Sequence, residues 1–104
     1  MLIHNYNIIM RRIVFEWDEN KNSVNKKKHR VSFEEAQTVF IDENAMLIND
    51  PDHSQSEDRF ILLGMSARLH MLVVCHCYRK DDEIIRIISA RKANCLEQKT
   101  YWER

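Results

Sequence analysis

Val31-Ser32-Phe33-Glu34-Glu35-Ala36-Gln37-Thr38-Val39-Phe40 reads as a helix with a marked start. Ser32 and Glu35 have the S-x-x-E spacing of a capping box, in which the serine oxygen accepts a backbone N–H and the glutamate reaches back to the cap. Val31, just ahead of the cap, can staple onto Ala36. Phe33, Ala36, Val39 and Phe40 recur at helical spacing and predict a stripe that faces a core. The helix is expected to end near Ile41. Beyond it the period changes. Residues 45–49, 59–65, 69–78 and 83–89 read as strands, with turns at Asp50-Pro51-Asp52 and Lys80-Asp81-Asp82. Connections this short favour an antiparallel meander of about four strands.

Upstream of the capping box, residues 13–17 are β-branched and aromatic and predict a short first strand. Asp18 offers an N-cap for a helix over residues 19–28, with Glu19 in its first turn and lysines in its last. That helix is polar almost all round, with Val24 its main apolar residue, so it gains little from packing by itself. Lysine stems and Trp17 are expected to anchor it. At the other end, residues 95–103 look helical, and Asn94 with Glu97 repeats the capping-box spacing. The order is strand, two helices, about four strands, one helix. Helices grouped rather than alternating with strands mean an α+β fold.

The chain has 104 residues, one glycine (Gly64) and one proline (Pro51). The length fits a single domain, which would bury roughly two thirds of its unfolded surface. Residues 13–104 are expected to form that domain and residues 1–12 an N-terminal extension; Met10, followed by Arg11-Arg12, offers an alternative start. The formal net charge is zero, which counts mildly against a nucleic-acid enzyme. Local patches decide phosphate binding, however. Lys26, Lys27, Lys28, His29 and Arg30 form one basic block; Arg86, Arg91 and Lys92 form a looser second one. Three cysteines, Cys75, Cys77 and Cys95, without a secretory signal point to reduced thiols and a cytoplasmic protein. No segment approaches the apolar length needed to cross a bilayer.

Several stretches, in order, resemble the BrnT toxin family: Phe15-Glu16-Trp17-Asp18 with Lys21; Asn25 with Lys28-His29; Val31-Ser32-Phe33-Glu34-Glu35-Ala36 through Val39-Phe40; and Arg86-Ile87-Ile88-Ser89-Ala90-Arg91-Lys92-Ala93 followed by Glu97 and Tyr101. Asp52-His53, Glu57-x-Arg59, Gly64-x-Ser66 and Arg79 also fit. The likeness runs from about Ile13 to Tyr101. It implies a compact RelE-like fold and endoribonuclease activity that stops translation. It also implies neutralisation by a BrnA-type antitoxin, a ribbon-helix-helix protein, through which alone the toxin would meet operator DNA. Two departures stand out. Arg30 occupies a place where the family often has glycine, which takes positive φ readily where arginine does not. Leu69-His70 replaces a turn that is commonly more glycine-rich and basic.

RNA cleavage without a metal needs a base for the 2′-hydroxyl proton, cations for the charge that builds on phosphate, and an acid for the departing 5′-oxygen. No Asp, Glu or His cluster has clear metal-ligand spacing, so a metal-independent route with no cofactor is the expectation. The resemblance points to Lys28, His29, Arg79, Arg86 and Arg91 as the catalytic set. Each also has a structural reading. Arg86 lies mid-strand among isoleucines, where a charge is costly unless it is paired with an acid on a neighbouring strand or set in a cleft. Arg91 precedes the last helix, whose dipole it opposes unless an anion intervenes. Lys28 and His29 suit the end of the first helix whether or not they hold phosphate and move protons. Arg79 ends a strand, a place shared by site residues and solvated turns.

The remaining candidates read more simply. His76 shares a face with Leu72 and Val74 and is expected to be packed with one hydrogen bond. Glu57 reads as a partner for Arg59 as readily as a base, and His53 as a cap on its turn. Trp17 and Phe40 belong to a core; Tyr101 and Trp102 are possible antitoxin contacts. Cys75-His76-Cys77 does not make a zinc site, because alternation sends the cysteines to one face and the histidine to the other. Three buried thiols are the expectation. Two classes of function remain open at this point: an RNA-cleaving toxin, or a non-catalytic interaction module that binds a repressor partner or RNA with the same basic patches. The early helices form no recognition helix of the kind a DNA-binding domain would need.

Overall fold

The computed structural model describes residues 2–8, 11–48, 59–81 and 83–104. The expected residues His53 and Glu57 lie outside these. The elements are β1 (Leu2–Ile8), β2 (Arg11–Trp17), α1 (Glu19–His29), α2 (Phe33–Ala36) running into a 3-10 helix (Gln37–Ile41), β3 (Met46–Ile48), β4 (Phe60–Met65), β5 (Met71–Arg79), β6 (Ile84–Lys92) and α3 (Cys95–Trp102). The six strands form one sheet in the order β1-β2-β6-β5-β4-β3. The expected antiparallel meander is there as β3-β4-β5-β6. The first expected strand joins it in parallel, with Val14, Phe15 and Glu16 beside Ile84, Ile85 and Arg86. The sheet is therefore mixed, and β1 extends it from residues 2–8. No helix among the described residues is long and apolar enough to cross a membrane.

The sheet's first face carries the main core. Phe15, Trp17, Leu72, Val74, Ile85, Ile87 and Ala90 pack there against Val31, Phe33, Ala36 and Val39. Phe15, Trp17 and Phe33 are completely buried, each worth roughly 2–3 kcal/mol in apolar transfer. Trp17 meets Phe33 edge to face at 6.0 Å, and Phe15 meets Phe40 at 5.2 Å. The second face holds a smaller cluster, Leu63, Met71, Val73, Ala93 and Tyr101, beneath α3. The helix covers only that end of the face.

The helix that opens on Ser32 departs from expectation after one turn. Ser32 Oγ accepts the Glu35 N–H at 3.0 Å, but the Glu35 carboxylate does not return to the cap. It accepts the Ser66 hydroxyl at 2.6 Å and lies 2.8 Å from His70 Nδ1. Half of the capping box forms, and the other half ties the β4–β5 turn to α2. The Thr38 hydroxyl then donates to the Glu35 carbonyl at 2.7 Å. That bond competes with the helix ladder, and the chain tightens to 3-10 geometry.

Trp17 holds the start of α1 as expected, its Nε1 donating to Glu19 Oε2 at 3.2 Å, but the rest of the helix is anchored by groups other than the lysine stems. Val24 is exposed, whereas Asn22 and Asn25 are buried. Asn22 Oδ1 accepts the Phe33 N–H at 2.9 Å, and its amide donates to Glu19 and Glu34, each at 3.0 Å. Buried amides with every partner supplied hold a helix whose apolar face is missing. Asp18 caps it as expected, accepting from Asn20 and Lys21.

Gly64 sits where β4 passes under the 3-10 helix. A Cβ there would lie 2.8 Å from both Val39 Cγ1 and Ala45 Cβ, and 3.1 Å from Asp42 Oδ2. Asp42 gathers the Met65 N–H at 2.8 Å and the Tyr101 hydroxyl at 2.7 Å. Burial pushes the Asp42 carboxyl upward, but these donors and the Asn44 N–H outweigh it and hold the group below its usual range. Tyr101 thus belongs to the fold, while Trp102 is exposed. The cysteines differ from expectation: Cys75 is buried, Cys77 half-buried and Cys95 exposed. Cys95 lies in the first turn of α3, outside both apolar clusters.

Candidate active site

Strand alternation sends Glu16, between Phe15 and Trp17, and Arg86, between Ile85 and Ile87, to the second face of the sheet. Arg86 faces Glu16 across the parallel pair and Cys77 across the antiparallel one. Arg79, two residues past Cys77, shares that face. The α3 helix leaves this end uncovered. The result is a cleft of about 630 Å³ lined by Lys21, Arg59, Cys77, Tyr78, Arg79, Arg86 and Ile88. Its volume falls in the range, roughly 300–1,000 Å³, of sites for small molecules or single nucleotide units.

Arg79 Nη1 donates to Glu16 Oε2 at 2.8 Å, and Arg86 Nη1 lies 4.0 Å from the same oxygen. The two readings of Arg86 left open by the sequence both hold: it has an acid on the neighbouring strand, and it stands in a cleft. The Tyr78 hydroxyl is engaged with His76 Nε2 at 3.3 Å. His76 itself is fully buried among Phe40, Phe60 and Tyr78, with Nδ1 3.2 Å from the Val74 carbonyl. Burial pushes its pKa down to about 4, so it is a neutral packed residue at physiological pH.

A shallower groove adjoins the cleft and shares Lys21 and Ile88 with it. Its other lining residues are Asn20, Val24, Asn25, Lys28, His29 and Ser89. Lys28 and His29 end α1 on this side. Four of the five expected site residues are therefore brought to two contiguous depressions: Arg79 and Arg86 in the cleft, Lys28 and His29 in the groove.

Arg91 stands apart from both. The pairing of β5 with β6 slips at Cys75 and His76, leaving Ile88 as an extra residue. This bulge puts Arg86 and Arg91 on the same face despite their odd spacing. About five residues of strand still separate them, roughly 16 Å. The strand runs on to Lys92, three residues beyond its expected end, so Arg91 projects from the sheet rather than from a loop. Its guanidinium meets Glu97 in two bonds of 2.8 Å each. Glu97 completes the capping box with Asn94. The anion that relieves the conflict between Arg91 and the helix dipole is thus a carboxylate of the chain itself. The bond from Arg91 holds the Glu97 carboxyl below its usual range, and Glu97 raises Arg91 in turn.

Sequence reasoning assigned no role to Glu16 or Lys21 in this site, although both fell within the quoted motifs. The available signal was a carboxylate between two core aromatics, which alternation places on the opposite face. Among the described residues, no group of three or more His, Cys, Asp or Glu is placed to hold a metal ion.

The model of the family described as "Ribonuclease toxin, BrnT, of type II toxin-antitoxin system" matches residues 17–97. The chain belongs to the BrnT family of ribonuclease toxins. A crystal structure of the Brucella abortus ribonuclease toxin BrnT superposes with a TM-score of 0.60 at 23% identity, covering 77% of this chain and 95% of that one. No curated protein matches the chain. The BrnT match begins at Trp17, so β1 and most of β2 precede the matched range. Glu16, Arg79 and Arg86 nevertheless form one constellation, because β2 is paired directly to β6.

Proposed function

We propose that this chain is a metal-independent endoribonuclease that acts in the cytoplasm, cleaves RNA to inhibit translation, and is neutralised by a BrnA-type ribbon-helix-helix antitoxin. The observation that carries this reading is the cleft: Lys21, Arg59, Arg79 and Arg86 gathered on an open face of the sheet. Guanidinium pairs of this kind grip the non-bridging oxygens of a phosphodiester and stabilise the charge that builds there.

In this reading Arg79 and Arg86 hold the scissile phosphate, and the RNA chain continues into the groove beside Lys28 and His29. His29 takes the proton of the 2′-hydroxyl. The freed oxygen attacks phosphorus, a 2′,3′-cyclic phosphate forms, the bond to the 5′-oxygen breaks, and Lys28 protonates the leaving oxygen. Arg91, half exposed on the same face, takes a phosphate further along the strand. Operator DNA is met only through the antitoxin, and no cofactor is used.

Purified, antitoxin-free protein incubated with RNA and EDTA tests the reading. Cleavage with cyclic-phosphate 3′ ends supports it. Cleavage only on addition of a divalent metal overturns the metal-independent route. Tight RNA binding without cleavage leaves the non-catalytic interaction module in its place.

A further inference from the structure

The cleft gathers four cations, and two of them, Arg79 and Arg86, share one carboxylate, which is the buried partner. The Glu16 side chain is 7% exposed, against 41% for Arg79 and 29% for Arg86. A carboxylate taken this far out of water is costly unless it is paired, and an apolar residue on a strand would avoid the cost. Its geometry indicates what it supplies. Arg79 and Arg86 are diagonal neighbours on adjacent antiparallel strands, about 7–8 Å apart at Cα. Alone, two guanidiniums at that spacing repel and swing towards solvent. Glu16 Oε2 holds Nη1 of Arg79 at 2.8 Å and lies 4.0 Å from Nη1 of Arg86. Both arginines line the cleft, and among the described residues Glu16 is the acid they share.

We propose that Glu16 is a positioning residue, which fixes the two arginines as a two-pronged clamp for one phosphodiester of the RNA chain. The inference rests on the ribonuclease reading of the cleft. Its consequence is a split between binding and chemistry. Glu16 repels the phosphate and so weakens RNA binding in the ground state. It also orients the donors that matter when the phosphate becomes more negative in the transition state. Removing its charge therefore moves the two quantities in opposite senses, which loss of a merely structural ion pair would not do.

The test uses the full chain with Glu16→Gln and Glu16→Asp. Affinity is measured with a 2′-O-methyl RNA oligonucleotide that cannot be cleaved, and rate with the ribo-oligonucleotide of the same sequence in single turnover at saturation. Glu16→Gln is expected to bind the 2′-O-methyl probe about 2–10-fold more tightly at low salt, as one more phosphate charge goes unopposed. It is expected to cleave at least about tenfold more slowly. Glu16→Asp keeps the charge but withdraws the anchor, so its affinity should match the wild type while its rate falls. Glu16→Gln cleaving at the wild-type rate, or losing affinity and rate together, overturns the proposal. If Glu16→Gln does not fold, an Asp variant with unchanged rate overturns it equally. A wild-type chain that cleaves no RNA overturns the ribonuclease reading itself, an outcome separate from any behaviour of the variants.

Discussion

Asn25 pairs with Ala90 as a neighbouring strand would. Its side-chain amide donates to the Ala90 carbonyl at 2.8 Å, and its side-chain oxygen accepts the Ala90 N–H at 3.1 Å. The reason is topological. Strand β2 pairs with β6 only as far as Arg86, and the chain then turns into α1, which runs along the edge that β2 leaves open. The same amide also donates to the Val31 carbonyl at 2.9 Å. One side chain thus closes the sheet edge, fixes the exit of α1 and shapes the groove that holds Lys28 and His29. Asn25→Ala strands these buried backbone groups at about 1–3 kcal/mol each. Asn25→Asp removes the donor and aims an acceptor at two carbonyls. Both are expected to lower stability by roughly 3 kcal/mol or more in urea unfolding, with Asp at least as harmful as Ala. An Asp variant as stable as the wild type would mean that α1 is held by other contacts.

That pairing also marks where the sequence stops being legible. The capped helix at Ser32, the meander and the α3 capping box could be read because each rests on local spacing. Asn22 and Asn25 could not, since a buried asparagine looks in sequence like a surface one, and its partners lie 11 and 65 residues away. Arg79 and Arg86 were legible as charges in strands. The β5–β6 hairpin brings them together, but the approach of Glu16 to both depends on the parallel pairing of β2 with β6, which no local period encodes. Arg91 was placed near the site by likeness of motif, and the structure gives it a carboxylate partner contributed by α3.

His76 predicts a pH dependence of stability with a definite sign. It is neutral in the folded chain, with a pKa lowered from 6.5 to about 4 by burial. Above pH 6.5 neither state binds the proton, and the histidine costs nothing. As the pH falls towards 4, the unfolded chain binds a proton that the folded chain refuses, and stability is lost. A shift of this size corresponds to about 3 kcal/mol. Urea midpoints measured from pH 7.5 to 4.5 should fall accordingly. The slope should flatten in His76→Gln, which cannot titrate. An equal slope in that variant would assign the loss to other groups.

Arg30 ends α1 in the left-handed region, at φ 60° and ψ 30°. The N–H of this residue bonds to the Lys26 carbonyl at 2.9 Å, so the conformation is imposed by the helix end. A residue with a Cβ is strained there by roughly 1–2 kcal/mol, and glycine is not. Part of that gain is offset by the greater freedom of glycine in the unfolded chain. Arg30→Gly is therefore expected to stabilise the protein by about 1 kcal/mol, a rise of roughly 4–8 °C in Tm. The side chain is exposed, so no packing is lost. A lower Tm would show that the arginine makes a compensating contact.

Arg91 and Glu97 join the end of β6 to the first turn of α3, and they should behave as one unit. Glu97 serves two donors at once, Arg91 at 2.8 Å and the Asn94 N–H at 2.9 Å. Both groups are partly solvated, so their attraction is screened and the loss on breaking it is about 1 kcal/mol rather than several. Arg91→Ala removes the bidentate pair but leaves the capping box; Glu97→Gln weakens both. Thermal melts should rank the variants in that order. The double variant should be little worse than Glu97→Gln alone, since the second change removes a bond already weakened. The sign with pH follows from the lowered Glu97 carboxyl. Its contribution is fully present above the ordinary carboxylate range and is lost as the pH falls through that range towards the lower folded value. The difference between wild type and Glu97→Gln should therefore be constant near neutrality and shrink on acidification. Additive losses in the double variant would show that the second bond of Arg91, from Nη1 to the Lys92 carbonyl at 3.3 Å, carries its contribution independently of Glu97.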